Sequence, residues 1–223
     1  MHITKAEEDY LKALYHLSME QEAERAGTNR LADYLGVAPA SVNNMLKKLK
    51  AKALVDYEKY GKLALTECGK GIAVRLIRRH RLWETFLHKY LNFSWDEVHE
   101  VAEQLEHIQS PKLMAELDRF MGFPRMDPHG EAIPNEQGEY NLTPKTPLAA
   151  LKTGDICRLV AVSDDSIAFL QYVSRIGLAL NIVIEIGEMR AFDHSMDILV
   201  GGVTHSVSGK FAEHVFVEIL STG

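Results

Sequence analysis

Two histidines and two glutamates lie close together in the segment VHEVAEQLEHI, residues 98–108. They are His99, Glu103, Glu106 and His107. On an α-helix these four positions share an arc of roughly 100°, because each residue advances about 100° around the axis. Imidazole nitrogens and carboxylate oxygens are donors that bind divalent transition metals. The segment therefore predicts a helix with one face that binds a cation.

The charge pattern around this segment favours the same interpretation. Residues 94–110 contain no Lys or Arg, although a solvated helix face usually interleaves basic and acidic side chains. Like charges on one face repel by roughly a few tenths of a kcal/mol per pair, and a divalent cation would remove that repulsion. The alternative is a solvated acidic helix whose histidines are incidental.

Three more side chains of these donor types precede the segment. His80 and Glu84 are four residues apart, so they share a face of the long helix predicted from Thr66 to about Tyr90. Asp9 lies in the sequence EEDYL of the predicted first helix. Each of these residues alone is typical of a protein surface, and only their joint occurrence indicates a metal site.

The two cysteines, Cys68 and Cys157, are far apart in the sequence. They form no disulfide framework, which is typical of a protein of the reducing cytoplasm. Unless one of them joins, a metal would be held by nitrogen and oxygen donors. Such donors favour Mn²⁺, Fe²⁺ or Zn²⁺ over Cu(I).

These donors must lie on helices. Three helices are predicted in the first part of the chain. Apolar residues at helical spacing predict a helix over residues 4–20 that is capped by Thr4. Two shorter helices follow, one over Asn29–Leu35 with Thr28 as its cap, and one from Pro39 to Lys52. Two short helices joined by a tight turn with glycine form a helix-turn-helix.

A hairpin is predicted directly after the helix-turn-helix, because apolar residues alternate on both sides of a turn at residues 59–62. Together these elements form a winged helix, whose second helix can read base edges in the major groove of DNA. Polar side chains on that helix and basic or aromatic ones around it are the expected DNA contacts: Arg30, Pro39, Ser41, Asn43, Asn44, Lys47, Lys59 and Tyr60. The alternative is a winged helix that contacts another protein.

The charge of the chain is distributed unevenly along its 223 residues. Residues 1–80 hold 14 Lys and Arg against 10 Asp and Glu, a net charge of +4, whereas the whole chain carries −6. A basic first third is expected of a module that faces nucleic acid. No apolar run approaches the roughly 20 residues that span a membrane, and the charged N-terminus is unlike a signal peptide.

The second half of the chain differs from the first in its proline content and in its predicted secondary structure. Residues 122–147 contain five of the seven prolines, which predicts an irregular linker between domains. Five β-type runs follow, separated by turn residues: ICRLVAV, NIVIEIGEM, MDILVGG, THSVSG and HVFVEIL. Short strands at this spacing predict a small barrel without an obvious catalytic set.

The order of these features resembles one known family. The order is similar to that of the diphtheria toxin repressor and manganese transport regulator family. It consists of a helix, a winged helix-turn-helix, a long helix with HRLWE, a helix with VHEVAEQLEH, a DPHGEAIP loop and a small barrel. The resemblance covers nearly the whole chain and is strongest over residues 5–135. It implies a metal-activated repressor of metal-uptake genes that binds palindromic double-stranded operator DNA as a homodimer, without enzymatic activity, small-molecule substrate or membrane attachment.

The resemblance also implies an α+β fold in four parts. These are a winged helix-turn-helix domain over residues 1–65, a helical metal-binding and dimerisation domain over 66–123, a linker over 124–147 and an SH3-like β-barrel over 148–223.

The ligands that the resemblance implies fall into two sites. The primary site would use Asp9, Glu103, Glu106 and His107. The ancillary site would use His80, Glu84 and His99, with an acidic ligand from the barrel domain that matches Asp165 or its neighbour Asp164. Asp127 and His129 of the DPHG loop are secondary candidates, because some manganese-sensing relatives use this loop.

Departures from the family pattern bear on the metal. Iron-sensing members have Met and Cys where this chain has Asp9 and Glu103, and carboxylates in place of sulfur favour Mn²⁺. We therefore expect Mn²⁺, with Fe²⁺ as the alternative and Zn²⁺, Co²⁺ or Cd²⁺ binding in vitro. The short manganese regulators have Glu where this chain has Lys12, so two separate sites are expected instead of a closely spaced pair of ions.

Two other functions fit parts of this pattern. A metal-dependent hydrolase could use a cluster of carboxylates and histidines to activate water. A winged-helix regulator could also hold a purely structural metal, and its DNA affinity would then not follow the metal concentration.

Overall fold

A computed structural model describes residues 2–19, 27–57 and 63–223. The chain divides into two compact units. The first unit consists of Met1–His80, Leu105–Ser110 and Pro134–Glu139. The second unit consists of Arg81–Gln104, Pro111–Ile133 and Tyr140–Gly223.

The first unit opens with helix α1, Lys5–Met19. A capping box fixes its start, as the sequence predicted for Thr4: the Thr4 amide donates to Glu7 Oε2 at 2.9 Å, and the Glu7 amide donates to Thr4 Oγ1 at 3.4 Å. Leu11 and Leu14 of the same helix are buried in a cluster with the helices that follow. The residues at one end of α1 therefore fix its start, and its apolar face fixes its packing.

Helices α2, Thr28–Leu35, and α3, Pro39–Ala51, form the predicted helix-turn-helix. The prediction that Thr28 caps α2 is wrong. Gly27 occupies the cap position without any side-chain hydrogen bond, because the helix begins at Thr28 itself. Gly36 ends the helix in the left-handed region, with φ of 63°, which glycine adopts without strain.

Strands β1, Val55–Tyr57, and β2, Leu63–Leu65, pair in the antiparallel hairpin of the wing. The tip of the hairpin, including the predicted DNA contacts Lys59 and Tyr60, lies outside the described residues. The long helix α4, Glu67–Leu91, follows and supplies residues to both units.

Helix α5 spans Trp95–Leu105 and ends three residues before the end of the segment predicted to be helical, residues 98–108. The chain turns after it, since the Ile108 amide donates to the Leu105 carbonyl at 3.1 Å. Glu106 and His107 consequently lie in a turn. The predicted common helix face therefore ends at Glu103, and the turn gives the last two donors their own direction.

The second unit contains helix α6, Pro111–Phe120, and a six-stranded antiparallel sheet in the order β3-β8-β4-β5-β6-β7. The strands are Thr146–Pro147, Ile156–Val162, Val183–Met189, Met196–Val200, Val203–Val207 and Val215–Ser221 for β3 to β8. Strands β4 to β8 match the five predicted β-type runs, whereas the two-residue strand β3 was not predicted. Two helices within this region were not predicted: α7, Ile167–Arg175, and α8, Gly209–Glu213.

Candidate metal centres

Three donor side chains come together in the first unit. They are Asp9 on α1 and Glu106 and His107 in the turn after α5, and one ligand atom from each lies within 4.8 Å of the others. His107 Nε2 is 3.1 Å from Asp9 Oδ1 and 3.7 Å from Glu106 Oε1. We call these three residues the first centre.

The first centre fits a cation. Glu106 is fully buried. Its Oε1 and the Nε2 of His107 are buried and make no hydrogen bond within the described part of the chain. Such unsatisfied polar atoms cost about 1–3 kcal/mol each, and a bound cation would satisfy both.

Glu8 and Arg79 hold His107 in place, and the sequence did not indicate either residue. Glu8 Oε2 accepts a hydrogen bond from His107 Nδ1 at 2.7 Å. Arg79 donates to Glu8 Oε1 at 2.8 Å and, through Nε, to the Glu106 carbonyl at 2.5 Å. Because Nδ1 is the donor, the lone pair of His107 is on Nε2, which faces Asp9 and Glu106. Glu7 and Glu8 are both buried, so the sequence EED gives no local sign that Glu8 is the partner of His107.

The second oxygen of Glu106 is already engaged. Glu106 Oε2 lies 2.8 Å from Lys12 Nζ and 2.5 Å from His80 Nδ1. His80 was predicted for the ancillary site, and the structure places its side chain beside Glu106 in the first unit. Its role as an ancillary ligand stays a prediction.

A second set of donors comes together in the other unit. His99 Nδ1 lies 3.4 Å from Glu84 Oε1, and His99 Nε2 lies 3.7 Å from Asp165 Oδ2. Three of the four residues predicted for the ancillary site, Glu84, His99 and Asp165, therefore meet, and Asp165 lies in the loop after β4. Glu103, which was predicted for the primary site, lies in this unit with its Oε1 3.8 Å from His99 Nε2.

Asp127 and His129 of the DPHG loop join Glu84 in a buried trio whose ligand atoms lie within 4.8 Å of one another. His129 Nε2 lies 3.1 Å from the Trp95 carbonyl, to which it donates, so the lone pair is on Nδ1, 3.9 Å from Glu84 Oε1. We call Glu84, His99, Asp127, His129 and Asp165 the second centre.

The sheet domain fixes the DPHG loop. The Val162 amide of β4 donates to the His129 carbonyl at 2.9 Å. Gly130 has φ of 82°, and a Cβ there would lie 2.0 Å from the Val160 carbonyl oxygen, so only glycine fits this approach. Strand β4 therefore positions His129 directly.

The electrostatics of the second centre also fit a cation. Burial raises the pKa of Asp127 to about 7, and the neighbouring Glu84 carboxylate adds to the effect, while the Arg81 guanidinium opposes it. Arg81 Nε is 3.6 Å from Asp127 Oδ2. Asp127 and Glu84 are both buried carboxylates, and a divalent ion would stabilise them further.

Neither cysteine belongs to a donor cluster among the described residues. Cys68 is exposed on α4. Cys157 is in the core of the sheet domain, where burial raises its pKa to about 12, so it stays a thiol. Both centres consequently offer oxygen and imidazole donors only.

Six of the eight predicted DNA contacts lie on the helix-turn-helix. Pro39, Ser41, Asn44 and Lys47 are exposed on α3, and Asn43 is half-buried. Arg30 on α2 is also half-buried. Exposed lysines at positions 47, 48 and 50 give the end of α3 a positive charge.

Models of three protein domains match this chain in succession. The N-terminal DNA-binding domain of iron-dependent repressors matches residues 2–63, and their metal-binding and dimerisation domain matches residues 66–135. A regulator from Oceanobacillus iheyensis, "HTH-type transcriptional regulator MntR", is 36% identical over 104 residues, which are 47% of this chain and 69% of that protein. The chain belongs to the iron-dependent repressor family. Members of this family are DNA-binding transcriptional repressors and not enzymes, so the hydrolase alternative is wrong.

Another domain model and a solved structure extend the similarity of this repressor beyond residue 135. A FeoA domain model matches residues 146–219 and confirms the SH3-like domain at the C-terminal side of an α+β fold. The solved structure "Manganese-dependent transcriptional repressor complex with manganese" has a TM-score of 0.86 and 33% identity, and the match covers 96% of this chain and 100% of that one.

A third relative differs in length. The "Probable metal transport system membrane protein" of Chlamydia trachomatis is 33% identical over 139 residues, which are 59% of this chain and 30% of that protein. The repressor thus matches less than a third of this relative. Among the described residues of the repressor, no helix has the length and apolar character that crossing a membrane requires.

Proposed function

We propose that this chain is a Mn²⁺-activated repressor of metal-uptake genes, which binds palindromic operator DNA as a homodimer in the cytoplasm. One observation carries the proposal. The first centre connects α1, which packs on the helix-turn-helix, with the turn after α5. A cation between Asp9 and the pair Glu106 and His107 would therefore fix the helix that supports the DNA-reading element.

The activation follows from the first centre's own residues. Without a cation, the Asp9 and Glu106 carboxylates repel each other, and Glu106 Oε1 and His107 Nε2 stay unsatisfied. A divalent ion supplies the positive charge that these donors lack. Asp9 is then held against the turn, and Leu11 and Leu14 of the same helix keep Leu31 and Leu46 of α2 and α3 in register. If the ion binds the DNA-competent arrangement more tightly, DNA and metal reinforce each other's binding equally.

The ligand assignments remain proposals. Asp9, Glu106 and His107 would hold the activating ion, and Glu84, His99 and Asp165 would hold a second ion together with Asp127 and His129. Glu103 and His80 are proposed as further ligands from the family resemblance. Oxygen and imidazole donors without sulfur favour Mn²⁺, with Fe²⁺ as the alternative and Zn²⁺, Co²⁺ or Cd²⁺ able to substitute in vitro.

The DNA contacts are also proposals. Asn43 and Asn44 can each form a bidentate pair with adenine in the major groove, and Ser41 and Pro39 can contact bases or methyl groups beside them. Lys47, Arg30, Lys59 and Tyr60 would contact phosphates, which position the protein without reading sequence. The domain boundaries 1–65, 66–123, 124–147 and 148–223 are proposed on the same resemblance.

An exposed aromatic patch supports the proposed homodimer. Phe86, Tyr90 and Phe120 pack on one another, with ring centroids 5.0 to 6.2 Å apart. Phe120 is nevertheless 63% exposed, and Phe123 nearby in the chain is 65% exposed. Contiguous exposed apolar surface marks an interaction site, and the matching domain model over residues 66–135 is one of dimerisation.

The test is operator binding as a function of metal. Fluorescence anisotropy of the metal-stripped protein on palindromes from its own promoter region would be measured at one fixed salt concentration, because salt alone changes DNA affinity greatly. Mn²⁺, anaerobic Fe²⁺ and Zn²⁺ would be titrated separately. Binding that appears at the lowest free concentration with Mn²⁺ supports the proposal, binding with Fe²⁺ alone supports the iron alternative, and equal binding without metal contradicts both.

A further inference from the structure

A partly buried ion pair joins helix α1 to the end of helix α3 within the first unit. Lys52 Nζ lies 2.7 Å from Glu7 Oε1 and 2.8 Å from Glu7 Oε2, and it also donates to the His2 carbonyl at 3.0 Å. The Glu7 side chain is only 5% exposed, and that of Lys52 is 30% exposed. Water therefore screens the attraction weakly at the carboxylate, and the charged partners form short, directional hydrogen bonds.

Three consecutive acidic residues of α1 have three different partners. Asp9 is a donor of the first centre, and Glu8 Oε2 accepts a hydrogen bond from His107 Nδ1. Glu7, one position earlier, contacts Lys52. Successive residues of an α-helix are turned by about 100° from one another, so these side chains leave α1 in different directions. One turn of α1 consequently contacts the first centre on one side and the end of α3 on another.

We propose that the pair of Glu7 and Lys52 transmits occupancy of the first centre to the DNA-reading helix α3. The proposal rests on the proposed function, since it assumes that metal at the first centre raises operator affinity. It makes Glu7 and Lys52 positioning residues, because each acts through the helix that carries it and not by binding the ion or reading a base.

The backbone of Lys52 is fixed to α3. Its amide donates to the Lys48 and Leu49 carbonyls at 3.2 Å each, and the Leu54 amide donates to the Leu49 carbonyl at 3.0 Å. These bonds close the last turn of the helix. A displacement of α1 that carries Glu7 would therefore act on α3 itself and not on a loose segment beyond its end.

Apolar packing alone defines the orientation of α1 and α3 less strictly. Leu11 of α1 and Leu46 of α3 lie in one buried cluster, but the hydrophobic effect is non-directional. Glu7, by contrast, has a fixed orientation, because its Oε2 accepts hydrogen bonds from the Thr4 amide at 2.9 Å and from Thr4 Oγ1 at 3.2 Å. The ion pair with Lys52 adds the direction that the apolar contact lacks.

The pair has a different consequence with and without metal. When an ion holds Asp9, the position of α1 is set, and the pair passes this constraint to α3. Without the ion, α1 is held less firmly, and the pair constrains α3 less. Loss of the pair should therefore reduce operator affinity mainly in the Mn²⁺-bound protein, whereas loss of a merely structural contact would change it equally in both states.

The ratio of operator Kd without Mn²⁺ to operator Kd at saturating Mn²⁺ measures this coupling. Fluorescence anisotropy at one low salt concentration gives the ratio for the natural chain, Glu7→Gln, Lys52→Gln, Lys52→Arg and the double variant of Glu7→Gln with Lys52→Gln. A Gln at position 7 retains the capping box with Thr4. Glu67→Gln breaks an exposed pair with Lys70 of α4 and is the matched control. Circular dichroism and Mn²⁺ titration without DNA verify that each variant folds and binds metal.

We expect Glu7→Gln and Lys52→Gln each to lower the ratio by about fivefold or more, with no further loss in the double variant, because the two residues act as a unit. Lys52→Arg and Glu67→Gln should keep the natural ratio. Glu7→Gln removes no positive charge, so its effect is distinct from the loss of a phosphate contact. If Glu7→Gln does not fold, the comparison of Lys52→Gln with Lys52→Arg decides, since losing a phosphate contact leaves the ratio unchanged.

Two results would overturn the proposal. One is a ratio in the folded Gln variants within about twofold of the natural one, and the other is a loss of operator affinity that is equal with and without Mn²⁺. A ratio of one in the natural chain itself would show that the proposed function is wrong, and the role of Glu7 and Lys52 would fail with it.

Discussion

Glu8 Oε2 accepts a hydrogen bond from His107 Nδ1 at 2.7 Å, and this contact decides which nitrogen of His107 can bind a metal. The imidazole is held with its Nε2 beside Asp9 Oδ1 at 3.1 Å. Arg79 in turn holds Glu8 by a second bond of 2.8 Å. A carboxylate that orients a ligating histidine tunes metal affinity without contacting the ion.

The first prediction follows from this contact. Glu8→Gln should lower the Mn²⁺ affinity of the first centre by roughly 10–100-fold, the usual effect of losing such a partner. Isothermal titration of Mn²⁺ measures the change. Glu100→Gln on the exposed face of α5 is the matched control and should bind Mn²⁺ as the natural chain does. Equal affinities in the two variants would show that Glu8 does not orient His107.

The recognition helix gives a second prediction. Asn44→Ala should weaken the free energy of binding to the best operator by about 1–3 kcal/mol and reduce discrimination against a changed base pair. Lys47→Ala should weaken binding to all DNA sequences alike. It should also reduce the slope of log affinity against log salt concentration by about 1. Anisotropy at several salt concentrations separates these effects, with exposed Lys112→Ala of α6 as the control. An Asn44→Ala variant that loses affinity equally for all sequences would contradict base reading by this residue.

The aromatic patch gives a third prediction, on assembly. Phe120→Ser should shift the protein from dimer to monomer, because it removes an exposed aromatic ring from the patch proposed as the dimer interface. Light scattering coupled to size-exclusion chromatography measures the mass. Phe192 is 99% exposed in the sheet domain, and Phe192→Ser should leave the mass unchanged. A Phe120→Ser variant that keeps the natural mass would place the interface elsewhere.

The buried Arg81 gives a fourth prediction, on stability. Arg81 pairs with Asp127 and Glu131 and donates to the Ala132 carbonyl at 2.5 Å. Arg81→Met should lower the free energy of unfolding by about 3–5 kcal/mol, because it leaves a buried carboxylate unpaired. Arg119→Met breaks an exposed pair with Glu116 and should cost at most about 1 kcal/mol. Urea unfolding distinguishes them, and similar losses in both variants would contradict this role of Arg81.

The pKa of Asp127 gives a fifth prediction. Burial, with the Glu84 carboxylate beside it, raises this pKa from 3.8 to about 7. Between pH of about 4 and about 7 the folded state therefore binds more protons than the unfolded state. The free energy of unfolding of the metal-free protein should accordingly fall as the pH rises through this window and level off above it.

Asp127→Asn is the variant that isolates this effect, since it cannot lose a proton there. Urea unfolding at a series of pH values should give a flatter dependence for Asp127→Asn than for the natural chain. The same slope in both proteins would assign the pH dependence to other groups.

The sequence predicted the elements well, because their signals are local. Apolar spacing around Leu11, Leu46 and Leu49 and the turn at Gly36 were sufficient for the winged helix. The cap at Gly27 was missed because Thr28, a stronger cap former, stands next to it. Helix α7 was missed because its residues, IAFLQYVSR, are rich in apolar types that also form strands.

The candidate sites were predicted less completely, because contacts over long sequence distances decide them. The donor types of Asp9, Glu106 and His107 were recognisable, but the turn that ends α5 at Leu105 was not. No local pattern distinguishes Glu8 as the partner of His107, since 99 positions separate them. The direction of the Lys12 ammonium toward Glu106 likewise depends on tertiary packing.

The central claim is that metal at the first centre and DNA at α3 stabilise the same state. Titrating Mn²⁺ into the protein with and without saturating operator DNA, at one salt concentration, tests it most directly. Since coupling is reciprocal, the operator should raise Mn²⁺ affinity by the same factor by which Mn²⁺ raises operator affinity, and His107→Gln should abolish both effects. A Mn²⁺ affinity that is unchanged by the operator would contradict the account.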